Sequence, residues 1–286
     1  MKFVEYRDGG RRGLAAEDAS GTLRGKLAGE AGYPGTLQSL IAAGGSALAD
    51  AGRALSGGPE IDPGAVQVMP PLAAPGKIIC VGLNYREHAA ESNVAPPAYP
   101  TIFSRFASSL IGHGAPLVRP RSSTQFDYEG ELVAVIGRGG RHIAHAQALD
   151  HVAGYSVFND GSIRDIQLRT SQWTLGKNFD GTGAFGPAFV TADALPSGAR
   201  GLRLVTRLNG IAVQDASTDD LIFDIATLVS ELSAAMTLDP GDVIVTGTPS
   251  GVGMARSPQL FMKHGDICAV EIEGIGLLRN PVQDEA

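Results

Sequence analysis

The chain has 286 residues, a formal net charge of −7 at pH 7 and a sequence pI near 5.4. This acidic balance disfavours a surface that binds nucleic acid or an anionic membrane. The chain has no apolar run approaching about 18 residues and no signal-peptide pattern at its N-terminus, so we expect a soluble, cytoplasmic protein.

Residues 1–70 differ in pattern from the rest of the chain. Strand-like runs at 3–6 and 12–15 flank a turn at Asp8-Gly9-Gly10, which predicts a small hairpin. An Ala- and Leu-rich segment from about Thr36 to Leu55 ends before two glycines and predicts a helix. A proline-rich stretch at 69–76 predicts a linker. We therefore expect a small N-terminal α/β domain over 1–70 and a larger domain over 75–286.

The larger part is dominated by short apolar, β-branched runs that predict strands. These runs are Ile78–Gly82, Leu132–Ile136, Gly154–Phe158, Leu202–Leu208, Val243–Thr246 and Ile267–Ile272. The clearest helix pattern is Leu221–Ala235, preceded by the capping side chains of residues 218–220. Because strands and helices do not alternate regularly, the pattern favours an α+β fold that is mainly β.

A possible proton-transfer pair follows the strand at Ile78–Gly82. His88 and Glu91 are three residues apart, so on a helical turn they share a face. The carboxylate can then orient the imidazole and raise its basicity. The alternative is a solvated helix face. The next stretch, residues 92–97, is poor in large apolar anchors and is expected to close over the site when a ligand binds.

Three carboxylates form the strongest chemical signal. Glu129 and Glu131 are two residues apart beside a strand-like run, so both side chains point to one face, roughly 6–7 Å apart at Cα. Asp160 ends another such run. Carboxylates crowded on a buried sheet repel each other, and a hard divalent cation removes that cost, which suits Mg²⁺ or Mn²⁺. The alternative is the wet face of an edge strand.

Two further segments carry polar groups next to glycines. Lys177 precedes a glycine-rich loop at 181–187 and is either an ordinary surface lysine or a group aimed at an oxyanion or carboxylate. The segment 245–253, which contains Thr248, follows a strand and resembles an anion-binding nest, but it lacks the lysine of a nucleotide-binding loop. Cys80 and Cys268 lie in apolar runs, which predicts buried thiols rather than a disulfide.

The order and spacing of these motifs resemble the fumarylacetoacetate hydrolase family over about residues 75–283. The matching segments are 81–91, Asp-Tyr-Glu-Gly-Glu-Leu at 127–132, 159–167, Gly-Lys-Asn-Phe-Asp at 176–180, Leu-Asn-Gly at 208–210, 240–253 and Gly-Asp at 265–266. The chain is similar to the longer bacterial members, described as fumarylacetoacetate hydrolase-like or 2-hydroxyhepta-2,4-diene-1,7-dioate isomerase-like.

The resemblance implies a fold, a cofactor and an assembly. It implies a mixed β-roll catalytic domain, a small N-terminal domain and a homodimer. It also implies that Glu129, Glu131 and Asp160 hold a Mg²⁺ or Mn²⁺ ion, and that the substrate is a small 2-oxo or diketo acid. Within this picture the catalytic residues are His88, Glu91 and Lys177. The residues expected to bind substrate are Arg86, Gln167, Lys177 and Thr248, with Arg164 as a supporting candidate.

The leading hypothesis is a metal-dependent hydrolase that cleaves a C–C bond in a diketo acid, either an acylpyruvate or an aromatic ring-cleavage product. His88, oriented by Glu91, would activate the water, and the leaving group would be a metal-bound enolate. The second hypothesis is a 2-oxo acid decarboxylase, or a keto–enol or ring-cleavage isomerase, that uses the same metal site. A third is a non-catalytic, metal-stabilised protein that works through its oligomeric surface.

Two departures from the family pattern bear on the substrate. Gly161 stands beside Asp160 where a larger residue is common, and Gly181 and Gly183 replace stiffer residues in the loop after Lys177. Glycine has more backbone freedom than any other residue, so we expect this loop to be more mobile than usual.

Overall fold

The computed structural model describes residues 1–91 and 97–286. The elements of the N-terminal part are β1 Lys2–Asp8, β2 Arg11–Glu17, β3 Leu23–Leu27, α1 Leu37–Ala43, α2 Ala47–Ser56 and β4 Gln67–Val68. The predicted hairpin is β1–β2, whereas the predicted single helix is two helices. Gly44 and Gly45 separate them, with φ angles of 64° and 55°, in the left-handed region that ends helices.

The rest of the chain contains mostly short strands. Its strands are β5 Ile78–Gly82, β6 Thr101–Ser104, β7 Leu110–Ile111, β8 Leu117–Arg119, β9 Phe126–Asp127, β10 Gly130–Ile136, β11 Val152–Asp160, β12 Ser162–Ile163, β13 Gly183–Thr191, β14 Arg203–Leu208, β15 Ile211–Ser217, β16 Val243–Val245, β17 Ile267–Ile272 and β18 Gly276–Asp284. Its helices are α3 Arg86–Glu91, α4 Arg164–Gln167, α5 Thr174–Lys177 and α6 Ile225–Ala235. Short 3-10 helices lie at Ala107–Ser109, His145–His151, Ala192–Ala194, Ser197–Ala199, Thr218–Asp220 and Gly253–Ala255.

Two large sheets and a two-stranded sheet of β9 and β12 organise the described chain. The larger sheet has the order β3-β2-β1-β13-β11-β10-β16-β5-β6, with β4 added to β1 and β7 added to β13. Its strands are mixed in direction, since β5 runs parallel to β16 while β10 runs antiparallel to both neighbours. The second sheet has the order β15-β14-β17-β18-β8. This architecture confirms the expected mainly β, α+β fold.

Strand β10 lies at the centre of the molecule and is buried on both faces. Leu132, Ala134 and Ile136 belong to a core shared with the second sheet and α6. Val133 and Val135 belong to a second core that includes residues of the N-terminal strands and helices. This alternation explains why the sequence of β10 is almost entirely apolar.

The N-terminal part shares the large sheet with the rest of the chain. Strand β1 pairs antiparallel with β13, with Phe3 opposite Phe189. The amino group of Met1 donates to Thr191 Oγ1 at 2.6 Å. The division into domains 1–70 and 75–286 stays a prediction, and in this structure the two parts are joined through continuous strand pairing.

Two elements differ from their predicted form. The glycine-rich stretch after Lys177 is largely strand β13, in which Gly183 pairs with Asp160, and not a loop as expected. The expected mobility of this stretch stays a prediction. Helix α6 begins four residues later than predicted because Asp224 caps it by accepting from the backbone N–H of Thr227 at 2.9 Å.

Three other expectations concern the cysteines, membrane-spanning helices and residues 92–97. Both cysteines lie in the described part, where they are buried and free. Within residues 1–91 and 97–286, no helix has the length and hydropathy that a membrane span requires. The expected closure of residues 92–97 falls mainly on 92–96, which lie outside the described residues.

Candidate active site

The three predicted metal ligands meet in the centre of the large sheet. Glu129 lies one residue before β10, Glu131 lies in β10, and Asp160 ends β11. The backbone N–H of Asp160 donates to Glu129 O at 2.8 Å, which aligns the two strand ends. One ligand oxygen of each carboxylate lies within 4.8 Å of the others. All three side chains are buried on or directly beside interior strands, so the edge-strand alternative is excluded.

The charge state of this cluster favours a cation. Burial and the neighbouring Asp160 and Glu129 raise the pKa of Glu131 well above its ordinary value. The backbone N–H of Gly247 donates to Glu131 Oε2 at 2.6 Å. Three converging buried carboxylates with such a mutual repulsion form the oxygen-rich donor set that suits a divalent cation. Glu129, Glu131 and Asp160 therefore fit the ion that the sequence predicts.

Lys177 is part of the cluster and not a surface residue. It ends helix α5, is 2% exposed, and places Nζ 2.6 Å from both Glu129 Oε2 and Asp160 Oδ2. Its Nζ also lies 4.9 Å from the centre of the Phe103 ring. Burial alone would lower the pKa of Lys177, but Asp160 and Glu129 outweigh it and raise the pKa. The lysine therefore stays charged beside the carboxylates.

Arg164 and Gln167 approach the cluster from helix α4. Arg164 contacts Glu129 Oε1 through Nη1 at 2.6 Å and Asp127 Oδ2 through Nε at 2.8 Å. Its Nη1 also donates to Gln167 Oε1 at 2.9 Å. Arg164 Nη2 is buried and has no hydrogen-bond partner within the described residues. Both side chains line the central cavity, so helix α4 contributes one charged and one amide side chain to the site.

Two buried residues of the site were not predicted. Asp127 binds Arg164 and accepts from the backbone N–H groups of Gly253 and Met254 at 2.8 and 3.0 Å. It continues the alternation of Glu129 and Glu131 backwards by two residues, and this signal was available in the sequence. Arg105 donates to Asp160 Oδ1 from the end of β6, and no motif or spacing marks that arginine.

The predicted dyad forms on the short helix α3. His88 Nδ1 lies 3.3 Å from Glu91 Oε2, and His88 is 8% exposed. Glu91 also accepts from the backbone N–H of Gly251. Burial raises the pKa of Glu91, but His88 and the Gly251 N–H outweigh it and lower the pKa, so the carboxylate is ionised. The pair is thus partly buried and held by a second segment, unlike a freely solvated helix face.

One cavity of about 430 Å³ joins these groups. Its polar lining comprises His88, Glu91, Glu129, Glu131, Arg164, Gln167, Lys177 and Thr248. Its apolar lining includes Val81, Leu83, Phe103, Leu168, Trp173, Val252 and Met254. A concave, mostly apolar cavity with a few converging polar groups is the usual form of a small-molecule site.

Arg86 and Thr248, both expected to bind substrate, lie in different places. Arg86 is exposed and lines a separate cavity with Arg200 and Asp224, so the structure does not bring it to the dyad. Thr248 lines the central cavity, but its hydroxyl donates to Gly130 O at 3.0 Å and accepts from Gln214 at 2.8 Å.

The glycine-rich segment 247–253 binds carboxylates of the protein itself. The N–H of Gly247 donates to Glu131, and the N–H of Gly251 donates to Glu91. The N–H of Gly253 donates to Asp127, so the segment binds one carboxylate of the metal cluster, one of the dyad and the partner of Arg164. The segment connects the two halves of the site.

Comparisons with known proteins agree with this geometry. The model of the family "Fumarylacetoacetate (FAA) hydrolase C-terminal" matches residues 77–283. The mitochondrial oxaloacetate tautomerase fahd2 of Xenopus laevis is 39% identical over 99% of this chain and 90% of its own.

Two solved structures cover all of this chain and are themselves covered completely. One is the fumarylacetoacetate hydrolase from psychrophilic Exiguobacterium antarcticum, with 36% identity and a TM-score of 0.87. The other is the maleylpyruvate hydrolase from Sphingobium sp. SYK-6 in complex with manganese(II) and pyruvate, with 27% identity and a TM-score of 0.81.

Proposed function

The chain belongs to the fumarylacetoacetate hydrolase family, and from that premise we propose that it catalyses keto–enol tautomerisation of a small 2-oxo acid, with oxaloacetate as the first candidate. The observation that carries this proposal is a His88–Glu91 pair in the same cavity as a buried carboxylate cluster that fits a divalent ion. The naming of the Xenopus relative as an oxaloacetate tautomerase supports it.

Tautomerisation needs a base and a charged pocket but no water. His88, oriented by Glu91, removes a proton from the carbon next to the 2-oxo group. The electron pair of that C–H bond forms the C=C bond, the 2-oxo oxygen takes the negative charge, and a proton delivered to this oxygen completes the enol. Lys177 and Arg164 line the cavity and supply positive charge near the developing oxyanion.

Glu129, Glu131 and Asp160 would hold the divalent ion, for which we propose Mg²⁺ or Mn²⁺. When bound, such an ion supplies Lewis-acid stabilisation of negative charge on the substrate oxygens. The apolar walls around Phe103 and Trp173 limit water around these groups, which strengthens their electrostatic effect.

The direct test follows the ultraviolet absorbance of enol-oxaloacetate with purified protein and Mg²⁺ or Mn²⁺, against the same ion without protein. We expect His88→Ala to slow the catalysed rate about 10²–10⁴-fold. His145→Ala is the matched control, because His145 is an exposed histidine away from the cavity. Parental rates for His88→Ala would remove the dyad from the mechanism.

Hydrolysis of a diketo acid is the second candidate. The same dyad can deprotonate a water molecule instead of a carbon, and the similar maleylpyruvate hydrolase holds manganese(II) and pyruvate. Loss of the diketo absorbance of an acylpyruvate, with formation of two carboxylic acid products, would favour hydrolysis. Release of CO₂ from oxaloacetate above the metal-only rate would instead favour a decarboxylase. Tautomerisation without either reaction supports the leading proposal.

We also propose that the protein is a homodimer, as the resemblance to the family implies. Strand β6 ends the large sheet within the described residues and offers a backbone edge for association.

A further inference from the structure

Gly251 connects the dyad to a second set of polar side chains through its backbone N–H and its backbone carbonyl. Its N–H donates to Glu91, 3.0 Å from Oε1 and 3.2 Å from Oε2. Its carbonyl accepts from Tyr128 Oη at 3.0 Å and from Arg256 Nε at 3.0 Å. The backbone of Gly251 therefore binds the carboxylate of the dyad through one peptide unit and a guanidinium through the next.

The backbone conformation at residue 251 requires glycine. The φ angle of Gly251 is +99°, and a Cβ added there would lie 2.1 Å from Val213 O. Such a conformation is rarely adopted by residues with a side chain. Glycine at position 251 therefore allows the N–H to reach Glu91 while the carbonyl points into the protein.

Arg256 is fixed by more than the Gly251 carbonyl. Its Nε also donates to Tyr128 Oη at 3.0 Å, and its Nη2 donates to the backbone carbonyl of Val213 in β15. Tyr128 is fully buried between Asp127 and Glu129. The guanidinium is therefore tied both to the second sheet and to the segment that carries the metal ligands.

We propose that Arg256 is a positioning residue for the His88–Glu91 dyad and acts by fixing the backbone conformation of Gly251. This inference rests on the proposed role of the dyad in proton transfer. Arg256 and Tyr128 hold the carbonyl of Gly251, which fixes the backbone at this residue and therefore the direction in which its N–H donates to Glu91. Glu91, held in place, keeps the imidazole of His88 oriented toward the cavity.

The electrostatics of Glu91 agree with this path. The pKa of Glu91 is raised by burial, but it is lowered by more than that through His88, the Gly251 N–H and the charge of Arg256. The competing interpretation is purely structural, in which Arg256 fastens the 251–256 turn to β15 and has no effect on Glu91. The two interpretations differ in what happens when Glu91 is already neutralised.

The test is a double-mutant cycle between Arg256→Gln and Glu91→Gln, read in the tautomerase assay with Mn²⁺. We expect Arg256→Gln alone to lower kcat about tenfold to hundredfold, with little change in KM or in the Kd for Mn²⁺. The double variant should be no slower than Glu91→Gln alone, because both changes disable the same path.

Arg203→Gln is the matched control, since Arg203 pairs with Asp215 of β15 on the exposed side of the same sheet. If Arg256→Gln does not fold, Tyr128→Phe removes one donor to the Gly251 carbonyl with minimal change in volume and should lower kcat in the same direction.

The outcomes separate this inference from the proposed function. A parental kcat for folded Arg256→Gln, or additive losses in the double variant, would overturn the positioning role while leaving the dyad in place. Parental rates for His88→Ala and Glu91→Gln would instead overturn the role of the dyad, and the inference with it. A changed Kd for Mn²⁺ with unchanged kcat would assign Arg256 to the metal cluster and also contradict the inference.

Discussion

A charged Glu131 is costly to bury, because it lies beside two other carboxylates and away from solvent. A divalent ion offsets that cost only in the folded protein. We therefore expect the parent to gain about 2.7 kcal/mol of unfolding free energy at an ion concentration one hundred times the Kd. Glu131→Gln should lose this gain, which thermal unfolding titrated with Mn²⁺ measures.

Glu271→Gln serves as the control for that experiment. Glu271 is an exposed carboxylate of β17 paired with Arg207, so its loss should leave the Mn²⁺ effect unchanged. Equal stabilisation of the parent and Glu131→Gln by Mn²⁺ would show that the ion does not bind at the cluster.

Arg105 binds Asp160 Oδ1, the carboxylate oxygen that does not accept from Lys177. Its Nη1 contacts Asp160 Oδ1, Nη2 donates to Thr182 Oγ1 at 2.7 Å, and the residue is 2% exposed. Because Lys177 binds the other oxygen, the carboxylate is held from both sides. We expect Arg105→Gln to weaken Mn²⁺ binding about tenfold to hundredfold, measured by titration calorimetry.

Arg119→Gln is the comparison for Arg105→Gln, since Arg119 binds Asp284 at the surface through two nitrogens. An Arg105→Gln protein that is folded and binds Mn²⁺ like the parent would contradict the assigned contact.

At the residue scale, the sequence predicts side chains whose spacing is periodic. The alternation of Glu129 and Glu131 and the three-residue spacing of His88 and Glu91 both translate directly into a shared face. Arg105 has no such pattern, because its contact with Asp160 joins residues 55 apart in the chain. Arg86 was expected to bind substrate, but it does not line the central cavity. It occupies the first position of a six-residue helix and faces a different cavity from the dyad.

Among the elements, β1 and α1 are joined by a buried carboxylate. Glu5 in β1 accepts from the backbone N–H of Leu37 at 2.6 Å, and burial raises the pKa of Glu5 to about 7. A folded pKa above the unfolded value of 4.5 means that the contribution is complete below pH 4.5 and is lost as the pH rises through 7. The expected loss is about 3 kcal/mol in alkaline solution.

Urea unfolding of the parent and Glu5→Gln at pH 5 and pH 9 measures this effect. The variant keeps an acceptor for Leu37 but cannot ionise, so its unfolding free energy should fall less between the two pH values. Glu17→Gln, at the exposed end of β2, is the control. Identical pH dependence in the parent and Glu5→Gln would show that Glu5 ionises normally.

The elements were predictable where the local pattern agrees with the tertiary contacts. Strands β5 and β17 match their predicted bounds because their apolar runs end at turns. Strand β13 was not predicted, because its glycines are typical of a loop in sequence but are required here by close packing against distant residues. A Cβ on Gly183 would lie 2.9 Å from the guanidinium of Arg105, so a small residue is required in a strand that otherwise reads as a loop.

At the scale of the whole molecule, the candidate site lies in the large sheet, to which both the N-terminal part and the rest of the chain contribute strands. The N-terminal strands cover the edge of β13, and β13 pairs with the strand that ends in Asp160. The N-terminal core also packs on Val133 and Val135 of β10, the strand that carries Glu131. Local periodicity could not show this arrangement, because strand order depends on pairings between distant segments.

The opposite end of the large sheet bears on assembly. Strand β6 is its last strand within the described residues, with Ile102 41% exposed and Phe106, just beyond it, 54% exposed. An apolar sheet edge is a template for association. We expect sedimentation at micromolar concentration to give a species of twice the 29.6-kDa chain mass. Ile102→Lys should shift it toward the monomer, because a charge on an edge strand opposes pairing.

Ile211→Lys is the control for this experiment, since Ile211 is 71% exposed on β15 at the edge of the second sheet. Dissociation by Ile211→Lys and not by Ile102→Lys would place the contact at the second sheet. A parent that sediments only as a 29.6-kDa species would contradict the homodimer.

Activity measured alongside decides whether assembly matters for the site, because β6 adjoins β5 and β5 leads into the dyad helix. If the β6 edge supports the dyad, the monomeric variant should lose kcat while keeping its affinity for Mn²⁺.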